Sequence, residues 1–598
     1  MLKLSQFEYS PNFQSLSAFR VLFALYLLAQ FAGALPFYDD FYAALGIMPL
    51  QTLAFDTSIA GVGSLMPLLR LVDSTGLSAI VPVAYPLSLV ALAIGFRTRW
   101  ACAIALVLDG YLFWRNPYLV SGAEILARLL LLWSLFLPIN RYWSVDAALD
   151  KQPRRRPWPA LPFIALRLQI ASLYFFSALF KLEGAPWRQG YALAWTLPDN
   201  LYAGTPLGLL LADRAPGLLS ATGYLVVAFQ LAFSYLIYSP WRNELTRAIA
   251  IVGSVAMHVS FIVFLKIGGF PYLCLIMLLL LVPDRWFDRL LHRRRERLGR
   301  IKIYYEPDCG FCEKVSLLLR EFLLSPTVAV LPASADPAAF RLLTEHGSWV
   351  VIDPEGKPRL KWRAVAYVLR QNPLLAPLGY ISDLPALRRP MAQLYDFIGE
   401  RRRTLGAVTR RVLPFRSDRP PGRHALALNG ILAALALLCN VISLDQWAID
   451  RPRQEIHSAA YRGVRSGIDE FFAVLQIRQA WALFAPVPTH WQWTYRFRAA
   501  RRDSDAAIAV DWPFAAANAD GAVQFNRLYW RQYFSRFDQF SDADWAALDD
   551  YLCRVAGRRA APIAAVEVSI SRRPVPSPVP GGSEFTVHRR LACGGASS

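Results

Sequence analysis

Apolar stretches of roughly 17 to 25 residues, the length that spans a bilayer as a helix, fill most of the first 300 positions and return once near residue 435. Nine are read, centred near residues 27, 88, 108, 131, 171, 227, 256, 276 and 435. Some are broken by polar residues: the third ends in FWRNP, and the fourth carries Glu124 and Arg128. Intramembrane charges of this kind are expected to face a bundle interior or a cavity. From residue 301 the pattern changes. IKIYY alternates like a strand, FCEKVSLLLREFLL carries a helical apolar stripe, TVAVL and SWVVI read as buried strands, and DPEGK is a turn before PRLKW and a further helix, AVAYVLR. Strand, helix, strand, then hairpin and helix predicts a small thioredoxin-like α/β sheet. Past the ninth apolar segment, WQWTYRFRA, AAIAVDW and AAVEVSIS alternate as half-exposed strands, and DADWAALDDYLCRVA reads as a helix. The predicted fold is a polytopic α-helical membrane protein of about nine spans, with a cytoplasmic thioredoxin-like insert and an extracytoplasmic β-rich C-terminal domain. Its parts are 1–300 (spans one to eight), 301–405 (the insert), 406–445 (basic linker and ninth span) and 446–598.

Composition agrees with this pattern. The chain is 55% hydrophobic and 18% charged, too apolar for a soluble protein. Its net charge of +20 would suit nucleic acid, but the Lys and Arg cluster between apolar spans, where membrane topology accounts for them and nucleic acid is not needed. With the N-terminus inside, RTR (97–99), NRYWSVDAALDKQPRRRPW (140–158), PWRNELTR (240–247) and residues 284–424 become inner loops, and the outer loops are poor in Lys and Arg. This orientation predicts an integral protein of the bacterial inner membrane, in contact with lipid, its C-terminal domain outside. The start MLKLSQFEYSPNFQSLSAFR lacks a cleavable signal pattern, so the first span is expected to stay in the mature protein. Of seven cysteines, three sit singly in apolar segments, two form a CxxC, and Cys553 and Cys593 lie where an oxidising compartment would permit a disulfide. Spacing alone does not decide that pairing.

Two sets of residues carry candidate chemistry. In IKIYYEPDCGFCEK, a CxxC follows a strand and opens a helix, which places the Cys309 thiol at the positive end of the helix dipole, with Cys312 one turn away to resolve a mixed disulfide. Half of a zinc site and an inert pair are the alternatives; there is no second CxxC, and His346 is the only histidine within the 301–405 segment, so no metal is expected. The segment resembles the DCC family of thiol–disulfide oxidoreductase-like domains through Asp308, Cys309 and Cys312 after an apolar strand, and through GSWVVIDPEGKPRLKWRAVAYVLR and YDFIGERRRTLG. It departs at Glu306–Pro307, where that family usually has Asp-Gly. The resemblance covers about 105 residues and implies redox chemistry, with a thioredoxin-type electron donor as a partner.

The second set centres on Lys181, in YFFSALFKLEGAPWRQGYALAW. From position alone it is a lysine snorkelling at a membrane edge. The segment is similar to the one that carries the catalytic lysine of vitamin K-dependent γ-glutamyl carboxylases, in the order aromatic-rich span, Lys181-Leu182-Glu183, Trp187, Gly190-Tyr191. LSAFRVLFALYLL, RYWSVDAAL and MHVSFIVFLKIGGFPY agree with the same HTTM superfamily, and RQAWALFAPVPTHWQWTYRFRA more weakly with the carboxylase lumenal domain. The resemblance implies a lysine base that deprotonates a vitamin K-like hydroquinone, with oxygen and carbon dioxide as co-substrates and a secreted peptide as acceptor. Such a base must be largely unprotonated near neutral pH, which withdrawal from water favours. His258 matches a histidine of the corresponding carboxylase helix, so His258, Glu124, Arg128 and Trp187 are the candidate walls of the substrate or quinone pocket; a core histidine and a buried Glu124–Arg128 pair are the simpler alternatives. The carboxylases have a helper histidine just before the fourth span, where this chain has Ala123 or Glu124. Three functions follow: a quinol-dependent membrane enzyme of carboxylase type fed by the CxxC; a thiol–disulfide oxidoreductase with a quinone-binding anchor; or a non-catalytic peptide- or lipid-binding protein on the same scaffold.

Overall fold

A computed structural model describes residues 13–50, 52, 62–198, 204–449, 463, 467, 470–472, 474, 477, 479, 481–488, 491–501, 507–508, 510–515, 522–523, 525, 528–559, 563–574 and 585–593. Its first half is helical: α1 (Phe13–Ala34), α2 (Val62–Ser74), α3 (Val81–Ile94), α4 (Thr98–Arg115), α5 (Gly122–Ser134), α6 (Leu161–Glu183), α7 (Pro216–Tyr238), α8 (Asn243–Phe264), α9 (Phe270–Leu278) and α10 (Asp284–Gly299). Among the described residues, six helical stretches are long and apolar enough to cross a membrane: 13–42, 77–94, 161–183, 216–238, 243–264 and 423–443. A seventh is counted if α9 and α10, bent by 85° at Val282–Pro283, are taken as one broken span.

The expected count of nine is therefore reduced, for physical reasons. The segment near residue 108 is the 18-residue α4, but it carries Arg99, Asp109 and Arg115. The one near 131 is α5, only 13 residues, roughly 20 Å at 1.5 Å per residue. The one near 276 is α9, 9 residues before it tightens into a 3₁₀ turn. The last two are apolar because protein covers them: Leu126, Leu129, Leu130 and Leu131 of α5, and Leu273, Cys274 and Met277 of α9, are buried. Hydropathy does not separate a helix inside a bundle from one facing lipid.

The bundle has two ends. At one, Asp284 accepts from the Phe13 and Gln14 N–H groups (3.0 and 3.1 Å), and Arg20 donates to the Trp143 carbonyl (2.6 Å). At the other, Tyr529 donates to the Gln30 carbonyl (2.8 Å), Tyr551 to Asp40 (2.7 Å) and Tyr118 to Asp544 (2.9 Å). The C-terminal domain thus seats on the end reached by the C-termini of α1, α4 and α6. Helix α6 is the most enclosed span, with 78% of its apolar window buried, packed between α7 and a later helix, α16 (Arg423–Ile449).

The insert begins with β1 (Lys302–Tyr305), α11 (Gly310–Leu323) and β2 (Ala329–Pro332), continues with α12 (Pro337–His346), β3 (Val350–Ile352), β4 (Pro358–Leu360) and α13 (Lys361–Arg370), and ends in α14 (Pro385–Glu400) and α15 (Arg402–Val412). Its mixed sheet has the order β2-β1-β3-β4, β1 pairing parallel with β2 and antiparallel with β3. Helix α15 runs across the 405/406 boundary drawn from sequence. Beyond α16, β5 (Trp491–Arg501), β6 (Ala507–Ile508), β7 (Ala522–Val523), β8 (Ile563–Pro574) and β9 (Phe585–Ala592) form an antiparallel sheet, with α17 (Leu528–Phe534) and α18 (Asp542–Arg559) between its strands. Strand β5 buries Trp493, Tyr495, Phe497 and Ala499 and exposes the residues between them, the alternation legible in WQWTYRFRA.

Candidate functional site

Tyr174, Ser177 and Lys181 are spaced by three and four residues, so they share one face of α6. Lys181 is 3% exposed. Its Nζ donates to the Ser177 hydroxyl at 2.7 Å and to the Ser177 carbonyl at 3.3 Å, and stands 5.2 Å from the centre of the Trp187 ring. Among the described residues no carboxylate pairs with it. Leu182 and Glu183 are exposed, so the acidic neighbour in the Lys-Leu-Glu run points away from the amine. An ammonium buried without a counter-ion is costly, and this amine has only a hydroxyl, a carbonyl and a ring.

The turn after Lys181 is held from a distance in sequence. Trp187 donates from Nε1 to the Phe484 carbonyl (2.7 Å), and the Cα of Gly184 lies against the Pro486 carbonyl, leaving no room for a Cβ. Phe484 has φ 57°, and the peptide before Pro486 is cis. The FAPVP loop beyond the ninth span therefore closes over the lysine turn. Both segments stood out in the sequence, but the contact between them did not, because nothing local encodes a pairing 297 residues apart.

Two turns deeper, the Tyr174 hydroxyl and His258 Nε2 share a hydrogen bond of 2.8 Å, and Tyr174 stacks on Phe233 at 3.9 Å. Phe261 and Phe270 stand edge-on to the His258 ring at 5.6 and 6.3 Å. His258 is 1% exposed, and its Nδ1 has no partner among the described residues. Ser177, Tyr174, Phe484 and Pro486 were not anticipated as site residues; the three- and four-residue spacing from Lys181 was the signal for the first two.

Glu124 and Arg128 do not join this group, and the Glu124–Arg128 pair expected from their spacing is replaced by other partners. Glu124 closes a capping box at the start of α5, accepting from the Ser121 N–H (2.8 Å) and hydroxyl. Arg128 pairs with Asp109 of α4 at 2.8 Å and lies over the Phe113 ring. Asp109 also accepts from Tyr85 (3.0 Å). Glu124, Arg128 and Asp109 line a separate polar pocket with Tyr26, Asn116 and Tyr529, which Lys181, His258 and Trp187 do not reach. Asp109, a lone acid within an apolar segment, could have been flagged by that isolation.

Cys309 is the N-cap of α11, its sulfur accepting from the Cys312 N–H (3.2 Å), and the two cysteines are joined, with Cα atoms 5.2 Å apart. Asp308 is exposed. Glu306, from the departing Glu-Pro pair, lies with both sulfurs in a group whose ligand atoms are all within 4.8 Å of one another, a set a metal ion could use; it also pairs with Arg402 at 2.7 Å. Phe311 touches Gly406 of α15, and Lys314 donates to the Thr409 carbonyl (3.0 Å). The far half of α11 is docked on the bundle: Glu321, 1% exposed, accepts from the Trp143 N–H (2.6 Å) and from Arg154 (3.0 Å). Because Trp143 belongs to the first end and Lys181 to the second, the cysteine pair and the lysine lie at opposite ends of the bundle. In the C-terminal domain, Cys553 of α18 is joined to Cys593 after β9, Cα atoms 5.4 Å apart.

Residues 10–286 match the HTTM domain family. The matched region holds Lys181, Trp187, His258, Glu124 and Arg128, and stops before the CxxC insert. No solved structure matches the chain.

Proposed function

We propose that this is a γ-carboxylase-like membrane enzyme in which Lys181 is the base, acting with a lipid-soluble quinol on an extracytoplasmic peptide. The observation that carries the proposal is the burial of Lys181 against Ser177 and Trp187 without a carboxylate, inside the HTTM-matched region. The side chains around His258 suit a flat hydroquinone in kind: the rings of Phe261 and Phe270, and Tyr174 stacked on Phe233, near an unpartnered Nδ1 able to bond a hydroxyl. When bound, such a group would supply reducing electrons and an acidic hydroxyl. The chain's own part is to hold a proton acceptor at Lys181 Nζ, to orient it through Ser177, and to exclude water with Trp187 and the Phe484–Pro486 loop. Placement of the lysine at the second end, with the C-terminal domain, supports the outward orientation read from the loop charges.

The insert carries the second reading, a thiol–disulfide oxidoreductase of DCC type, favoured by Cys309 at the N-cap of a helix that follows a strand. In the combined form, the cytoplasmic dithiol is oxidised to the Cys309–Cys312 disulfide as its two electrons and two protons reduce the quinone, and the resulting quinol diffuses to the lysine end. The test uses the full chain in nanodiscs with a chemically reduced quinol, a Glu-rich peptide and labelled bicarbonate. Lys181→Ala should lower labelled-peptide formation by about 10²–10⁴-fold, the range for loss of a general base, whereas Cys309→Ser should not lower it. Product formation by Lys181→Ala at the wild-type rate would overturn the lysine role. Loss of dithiol-driven quinone reduction in Cys309→Ser, with no peptide product in any variant, would select the second reading.

A further inference from the structure

Helices α14 and α15 cover 27 residues between them and bury none. Each nevertheless has an apolar stripe at helical spacing: Leu387, Met391, Leu394 and Ile398 on α14, and Leu405, Val408 and Val412 on α15. Leu394, Phe397, Val408 and Val412 are 43%, 51%, 54% and 50% exposed. A helix with one apolar face normally buries it, and among the described residues Leu387, Leu394, Ile398, Val408 and Val412 remain exposed.

Charge identifies what covers them. Residues 385–412 hold seven arginines against Asp396 and Glu400. Of the seven, Arg389, Arg403, Arg410 and Arg411 are exposed and form no ion pair among the described residues. Exposed apolar side chains interleaved with unpaired arginines are the pattern of a helix lying in the headgroup layer of an anionic membrane. A second copy would bring the same positive charge to the contact and be repelled. The position is also right. Just past Val412, Arg416 exchanges backbone hydrogen bonds with Leu149 and Lys151 (3.1 and 3.4 Å) at the first end of the bundle, and the span-forming helix α16 starts at Arg423.

We infer that α14 and α15 form a surface that binds anionic lipid headgroups and lies on the membrane beside α16. Helix α15 also packs beside the cysteine pair, pairing Arg402 with Glu306 and accepting from Lys314 at the Thr409 carbonyl. Lipid contact therefore holds a helix that neighbours the disulfide.

The experiment places the full chain, one copy per disc, in nanodiscs of phosphatidylcholine alone or with about a third phosphatidylglycerol, and follows amide hydrogen exchange over 385–412. Exchange there should be about tenfold slower in the anionic discs, and the difference should vanish in the triple variant Arg403→Glu, Arg410→Glu, Arg411→Glu. Arg341→Glu, on the exposed face of α12, should keep the wild-type response. Equal exchange of the wild-type chain in both lipids overturns the inference, whether or not the triple variant folds. Protection that appears only when a disc holds two copies overturns it in favour of self-association.

Discussion

Ser177 is the residue that separates a placed base from a lysine at a membrane edge. A snorkelling lysine reaches for water, whereas Lys181 turns back along its own helix to Ser177 and is enclosed. Ser177→Ala removes the 2.7 Å hydroxyl bond while keeping the amine, and the expected result is about a tenfold fall in turnover with little change in peptide affinity. Steady-state measurement of kcat and KM distinguishes this from a general loss of fold, which would move both. Gly184 is the matching steric test. A methyl group there must displace the Pro486 carbonyl, so Gly184→Ala should cost about 1–3 kcal/mol, read as a lower melting temperature. The Lys-Leu-Glu, Trp and Gly-Tyr context of Lys181 was visible in the sequence. The direction of its side chain was not, because rotamer and burial depend on Trp187 and on a loop some 300 residues away.

Among the elements, strands and amphipathic helices were legible and buried helices were not. IKIYY, SWVVI, WQWTYRFRA and AAVEVSIS all became strands, since period-two alternation is a direct image of one covered face. The segments near 131 and 276 are apolar for another reason, enclosure by neighbouring helices, whereas the one near 108 exposes Trp100, Ile104 and Val107 and is interrupted by Arg99, Asp109 and Arg115. Partner choice was equally hidden: i,i+4 spacing favoured Glu124 with Arg128, but the capping requirement of α5 took Glu124 and Asp109 of α4 took Arg128. Helix α11 shows how one element joins two regions, with the cysteine pair at its start and Glu321 near its end. Glu321→Ala leaves Arg154 and the Trp143 N–H without their acceptor, and breaking a buried pair of this kind costs about 3–5 kcal/mol. Limited proteolysis of the membrane-embedded protein should then release the insert sooner than in the parent chain, with the bundle intact.

For the whole molecule, the arrangement that matters is the separation of the cysteine pair from the buried lysine. The cysteine pair docks at the Trp143 end, and Lys181 lies at the end reached by α17 and α18 of the C-terminal domain, so under the proposed function the two can be coupled only by a carrier that moves through lipid. The distribution of Lys and Arg predicts which end is which, and the redox state of the two cysteine pairs in cells tests it. Cys309–Cys312 should face a reducing cytoplasm and Cys553–Cys593 an oxidising exterior. The remaining cysteines, Cys102, Cys274 and Cys439, are buried and should stay silent toward a polar reagent. Intact cells treated with an impermeant reductant and then an impermeant maleimide should gain label at Cys553 and Cys593 and none at Cys309 or Cys312. Permeabilised cells should gain label at Cys309 and Cys312 without added reductant. Label at Cys309 in intact cells would turn the molecule over, placing the lysine on the cytoplasmic side and removing the extracytoplasmic peptide from the proposed reaction. The outer disulfide has a structural role that can be read in the same preparation. It closes a loop across a sequence separation of 40 and ties α18 to the end of β9, so Cys593→Ser should destabilise the C-terminal domain by about 2–4 kcal/mol. Because that domain supports the loop over Lys181, the variant should lose peptide modification at a lower temperature than the parent chain while thiol exchange at Cys309 persists.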